Sequence, residues 1–168
     1  MRNIDGWTIA VYTAFMNDDP RQLDTAKFAR MGRLCTCANL RSAARAITHV
    51  YDEFLRSSGL PTTQFLLLAA LGAHEATTLT PLAEDLGMDP TTLARNLKPL
   101  ERDGLVCIDA GRDRRTRVLR LTERGVTTLE GAYPLWEQAQ RWIIGQVGED
   151  QWRTMLGDWS YLTALARR

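Results

Sequence analysis

The chain has 168 residues, 45% apolar and 24% charged, with a net charge of +1; this is one domain, or one domain with an appendage, able to bury a core without staples. Three cysteines, Cys35, Cys37 and Cys107, make an odd count, which excludes a disulfide framework and leads us to expect a reducing, cytoplasmic compartment. No apolar run approaches the roughly 20 residues needed to cross a bilayer, so no membrane association is expected.

The opening stretch, "MRNIDGWTIAVYTAFMNDDP", has an apolar segment long enough for a signal peptide. Asp5 sits where such signals are positive, however, and "NDDP" follows where small residues should permit cleavage, so the signal reading is rejected. Residues 1–34 read as a separate extension with "NDDPRQ" as a polar break. Helical periodicity begins near Cys37, where Leu40, Ala44, Ile47, Tyr51, Phe54 and Leu55 recur at spacings of three and four, and Gly59 with Pro61 ends it. A second helix is predicted at about 63–73 and is apolar almost all round, which argues for burial.

The segment "LTPLAEDLGMDPTTLARNLKPLERDG" carries two start signals, each followed by a glycine stop. Thr80 is read as a cap, with Pro81 at the first helical position, where its missing N–H costs nothing. Gly87 closes the helix in a left-handed conformation, and Asp89–Pro90 begins the next. Two short helices joined by a tight glycine turn make a helix-turn-helix. The second, about 90–103, turns Leu93, Leu97 and Leu100 inward; Thr91, Arg95, Lys98 and Arg102 point outward, with Thr92 and Asn96 flanking. Pro99 lies inside it and is expected to bend or loosen its last turn.

Gly104 stops this helix, and "LVCIDA" and "VLRLT" read as two strands. Between them stand Arg112, Asp113, Arg114, Arg115 and Arg117, with Arg120 just beyond. Residues 95–124 hold nine Lys/Arg against five Asp/Glu, a local +4 in a chain whose remainder is therefore −3. Strands flanking a basic loop after a helix-turn-helix form a β-hairpin wing. Leu119 and Leu121 face the core by period-two alternation. The arginines repel one another, and a polyanion that neutralises them is the expected partner.

The last third is helical. Val126, Leu129, Tyr133, Trp136 and Ile143 run down one long helix with Pro134 as a kink, and Gly145 and Gly148 are read as breaking it. A final helix carries Trp152, Met155, Leu156, Trp159, Leu162 and Leu165 on a broad stripe. This is more aromatic surface than a small core absorbs, and a second copy of the chain is the simplest cover.

With "LTPLAEDLGMDPTTLARNLKPLERDGLV" and "DRRTRVLRLTERG" in place, residues 36–166 resemble the MarR family of bacterial transcription regulators. Asp113, Arg115 and Thr116 match its wing signature, and Leu121, Thr122 and Gly125 match the ending that follows. The resemblance implies a mostly α fold with a small β-hairpin wing, a winged helix-turn-helix whose long N- and C-terminal helices form a homodimer interface. The implied layout is an extension at 1–34, a helical dimerisation region at 35–60 and 126–168, and a winged DNA-binding lobe at 61–125. Implied partners are a palindromic double-stranded DNA operator and a small, often aromatic, effector that releases it, in a repressor. Arg115 would reach the minor groove and Asp113 would buttress a neighbouring wing arginine. Thr91, Thr92, Arg95 and Asn96 would enter the major groove, where arginine reads guanine and asparagine reads adenine. A start at Met31 would leave 138 residues, close to what such a fold needs, so the extension is either a misassigned start or an extra helix packed on the dimer.

Two side readings concern smaller groups. Cys35 and Cys37 are either a thiol switch, giving a redox-sensing repressor, or small residues at the dimer seam; two apart on a helix, they would point about 200° away from each other. Cys107 alternates with Val106 and Ile108 and reads as packing. His49, Tyr133 and Trp136 are candidate ligand contacts in an apolar cleft, against the plainer reading of surface histidine and interhelical core. His49 and His74, distant from the cysteines, lack zinc-site spacing, so no metal is expected. No phosphate loop or catalytic set is recognisable, which argues against an enzyme and a resident cofactor. A winged-helix adaptor for protein partners remains the other class, and it has no need for the wing arginines.

Overall fold

A computed structural model describes residues 23–111 and 116–166. They fall into two units, dividing between Ala44 and Arg45. The first holds helix α1, Thr25–Leu34, within the predicted extension; the Asp24 carboxylate accepts the Lys27 N–H at 2.9 Å and caps it. Residues 1–22 lie outside the described residues. Cys35 follows α1 in extended backbone (φ −70°, ψ 111°), and helix α2 spans Thr36–Leu55. The cysteines therefore do not share one helix, and the geometry that would turn them 200° apart does not apply.

In the second unit the chain leaves α2 through a single 3-10 turn, Arg56–Ser58, and reverses at Gly59, whose φ of 72° suits a residue without Cβ. Helix α3, Thr62–Gly72, follows Pro61, which has no side chain to cap it. The cap comes instead from α2: one Asp52 carboxylate oxygen accepts the Thr62 N–H at 2.7 Å and the Thr62 hydroxyl at 2.6 Å. On the adjacent residue the Tyr51 hydroxyl pairs with Gln140 at 2.5 Å.

Thr77–Thr78 forms a short strand, β1, that the sequence reading lacked. It pairs antiparallel with β3, Arg117–Leu121, which also pairs with β2, Val106–Ala110, in the order β1-β3-β2. Because β1 takes these threonines, helix α4 begins at Leu79 and runs to Asp85 with Thr78 as its N-cap. The predicted cap at Thr80 and start at Pro81 are thus two residues late. Gly87 adopts φ 61°, as expected, and helix α5 runs Pro90–Arg102, continuous through Pro99.

Helix α6, Glu123–Val147, passes through Pro134 and also through Gly145, which does not break it; Gly148, at φ 83°, does. A glycine inside a helix costs about 1 kcal/mol, too little to end a helix of this length. Helix α7, Glu149–Ala166, completes the fold.

The core gathers where α3, α4 and α5 meet the sheet. Leu55, Leu68, Leu71, Leu82, Leu93, Leu97, Leu100 and Leu119 are fully buried. Leu119 sits in the central strand, opposite both Ile108 and Thr77. The wing is tied in where β3 turns into α6. The Thr122 N–H donates to the Leu105 carbonyl at 3.1 Å, and its hydroxyl donates to the Gly104 carbonyl at 2.7 Å and accepts the Gly125 N–H at 3.0 Å. Gly125 is pressed against Leu105; a Cβ there would lie 2.0 Å from the Leu105 carbonyl oxygen.

Candidate nucleic-acid interface

Helix α5 has two faces of opposite character. Leu93, Leu97 and Leu100 are fully buried against the lobe, as their spacing of three and four requires. Thr91, Arg95, Asn96 and Lys98 are exposed on the other side, and Thr92 is half-buried beside them. The helix starts where Asp89, in extended backbone, accepts the Thr92 N–H at 2.8 Å, with Pro90 next in line. The Thr92 hydroxyl and then its N–H hold the Asp89 carboxyl below the ordinary carboxylate range. Arg95 Nη2 donates to the Thr92 hydroxyl oxygen at 3.3 Å.

Of the outward cations, Arg102 is taken up locally: its Nε donates to Asp103 at 2.9 Å, which lowers the pKa of Asp103 and raises that of Arg102. On the sheet, Arg120 pairs with Asp109 at 3.4 Å. These two pairs are exposed and fix side-chain direction more than stability.

The hairpin closes through the Gly111 N–H donating to the Thr116 carbonyl at 2.8 Å. Arg117 is exposed at the start of β3, opposite Ala110. Arg112, Asp113, Arg114 and Arg115 lie outside the described residues. Helix α5 and the hairpin are thus consecutive, joined at Gly104 (φ 70°).

The candidate ligand residues separate. Tyr133 and Trp136 on α6 line an open apolar cleft of about 370 Å³ with Phe65, Leu66, Ala69 and Leu129. Trp136 stands 5.5 Å from Tyr133 and lies stacked 6.4 Å from Phe65, centroid to centroid. His49 is exposed on α2 and is not among the residues lining this cleft. Sequence reading missed the α3 wall, although Phe65 and Ala69 stand four apart, as one face of a helix requires. It also missed Asp52, for which the available signal was an uncapped helix start after Pro61. Burial raises the pKa of Tyr51, and the Thr62 hydroxyl followed by its N–H lowers that of Asp52. Cys37 is exposed and Cys35 half-buried. Among the described residues no helix is long and apolar enough to cross a membrane.

Residues 58–116 match the model of the MarR family. The fold is similar to the M. tuberculosis transcriptional regulator MosR in complex with DNA, at 39% identity and a TM-score of 0.73 over 79% of this chain and 96% of that one. It is also similar to CouR, a transcriptional repressor bound to a 23-mer DNA duplex, at 25% identity and a TM-score of 0.70 over 79% and 96%. The organic hydroperoxide resistance transcriptional regulator of Bacillus subtilis is 32% identical over 97 residues, 57% of this chain and 66% of that protein. The chain spans between about half and two thirds of the lengths of the curated relatives it matches.

Proposed function

This chain belongs to the MarR family of transcription regulators, and from that premise we propose that it is a dimeric repressor that binds a palindromic double-stranded DNA operator in the cytoplasm and leaves it when a small aromatic effector binds. The observation that carries the reading is α5. Its leucine face is buried, its N-terminus is capped, and its opposite face offers Thr91, Thr92, Arg95, Asn96 and Lys98 to solvent, one glycine turn away from the basic hairpin. Such a helix fits the major groove, and arginines on the hairpin add phosphate or minor-groove contacts whose strength falls with salt. That MosR and CouR, to which this chain is similar, were each solved bound to DNA supports DNA as the partner.

A two-fold dimer then requires half-sites about one helical turn, roughly 10 bp, apart. The exposed apolar residues of α7 support a dimer, and so do those of α1. The Tyr133–Trp136 cleft, apolar and walled by rings, supports a planar aromatic effector. The test is selection of bound fragments from the source genome, then titration of the selected site. Arg115→Ala is expected to weaken binding and to reduce the slope of log affinity against log salt by about 0.9 for each phosphate left without its cation. A protein that retains no duplex in the selection would overturn the reading.

One observation favours a second reading, a thiol-switched repressor. Cys35 sits in extended backbone two residues from the exposed Cys37, outside the helix that holds Cys37. A hydroperoxide would oxidise the pair to a disulfide: the O–O bond breaks, the S–S bond forms, and the alcohol and water leave. The Bacillus subtilis relative's name points to the same chemistry. Intact mass after treatment with cumene hydroperoxide tests it; loss of two hydrogens together with loss of DNA binding is expected, and unchanged binding sinks it.

A further inference from the structure

A hydroxyl has one proton to give and two lone pairs to receive with, so where its proton goes decides what else it can hold. Thr92 stands between two charged groups on one strip of α5. On one side its N–H donates to the Asp89 carboxylate at 2.8 Å; on the other its hydroxyl oxygen accepts Arg95 Nη2 at 3.3 Å. Asp89, Thr92 and Arg95 are three residues apart, and such residues are neighbours on a helix surface. Asp89 is itself fixed as the N-cap, and Leu93 and Leu97 pin the opposite face. A hydroxyl lone pair of Thr92 thus receives Arg95, while the Thr92 backbone is held on Asp89 through its N–H.

We propose that Thr92 is a positioning residue: anchored by Asp89, it aims the Arg95 guanidinium at a guanine edge of the operator and does not itself read a base. The proposal rests on the reading of α5 as the DNA-contacting helix. The chemistry of the guanidinium permits the division. One Nη2 proton is held by Thr92, and the other, with a proton of Nη1, remains as a parallel pair that matches guanine O6 and N7. A long side chain held in one direction before binding has less freedom to lose when it meets its base. Threonine here serves the arginine as a rest serves a pointer.

The test is an affinity matrix on the selected operator, with each guanine of a half-site replaced in turn, for the full chain and for Arg95→Ala, Thr92→Val and Thr92→Ser. The native protein is expected to prefer guanine at one position by about 5- to 150-fold, the range of a good bidentate base contact. Arg95→Ala removes that preference alone. Thr92→Val moves it most of the way to the Arg95→Ala level with the salt slope unchanged, and Thr92→Ser, which keeps the hydroxyl, restores it. If Thr92→Val weakens all sequences equally, threonine is only part of the cap and the proposal fails. It fails too if the preference disappears at a different base, which would make Thr92 a direct reader. Operator binding with undiminished guanine preference in Arg95→Ala overturns the proposal but leaves the proposed function standing; absence of duplex binding by the native chain overturns both.

Discussion

The winged lobe and the C-terminal helix use apolar side chains in opposite ways. In the lobe, Leu82, Leu93, Leu97, Leu100 and Leu119 are each fully buried, and the polar residues between them face outward. Helix α7 has no buried residue among the described ones, and Leu156, Trp159, Tyr161 and Leu165 stand exposed along it. A domain whose sequence can seal one core so completely does not leave indoles in water for lack of alternatives. The lobe is finished within one chain, and the exposed side of the helix is the surface that the proposed dimer would cover.

That contrast can be broken most sharply at α7. Replacing Leu156 and Trp159 together by Asp is expected to convert the proposed dimer to monomers while helicity persists, because each side chain of this size contributes about 1.5–3 kcal/mol when buried. Sedimentation velocity reads the outcome, and an unchanged dimer would end the comparison. Next in size, Leu97→Ala should remove about 2–5 kcal/mol from urea unfolding, by the same amount at every protein concentration. A concentration-dependent loss would place Leu97 in the association surface instead.

Asp52→Ala tests the join between α2 and the lobe, and removing a cap costs about 0.5–2 kcal/mol. The pH dependence has a fixed sign. The folded carboxyl is held below its unfolded value, about 3.9, so its contribution is present above that value and lost as pH falls through the lower folded one. Native and Asp52→Ala stabilities should converge in acid, and parallel curves would exclude the cap. The smallest effect belongs to Asp109→Ala, about 0.2–1 kcal/mol in thermal unfolding for an exposed ion pair; a larger loss would mean that the sheet depends on it.

Where a residue type has one cheap place to go, the sequence was readable. Asp89–Pro90 marks the start of α5 because both residues suit the first turn, and Gly104 and Gly148 take the left-handed or extended positive-φ geometry that ends a helix. The first error, at Thr80, has a tertiary cause. β1 is two residues long, too short for alternation to register, and only its pairing with Val118 and Leu119 makes it a strand. Gly145 misled because propensity was weighed without the rest of α6. The cap from Asp52 was invisible for a related reason: its partner lies ten residues away across a chain reversal. The candidate DNA-facing residues of α5 could be grouped in advance by helical period. The Thr92–Arg95 bond could not, since spacing says which side chains are near but not which rotamers they choose.

The contact of Gly125 with the Leu105 carbonyl sets a mechanical limit. Main chain rests on main chain there, with no side chain between to compress or repack. The first turn of α6 and the root of the hairpin therefore travel as one piece. A tilt of that long helix is passed on to the root of the hairpin at Leu105, so this corner is a poor place for a pivot.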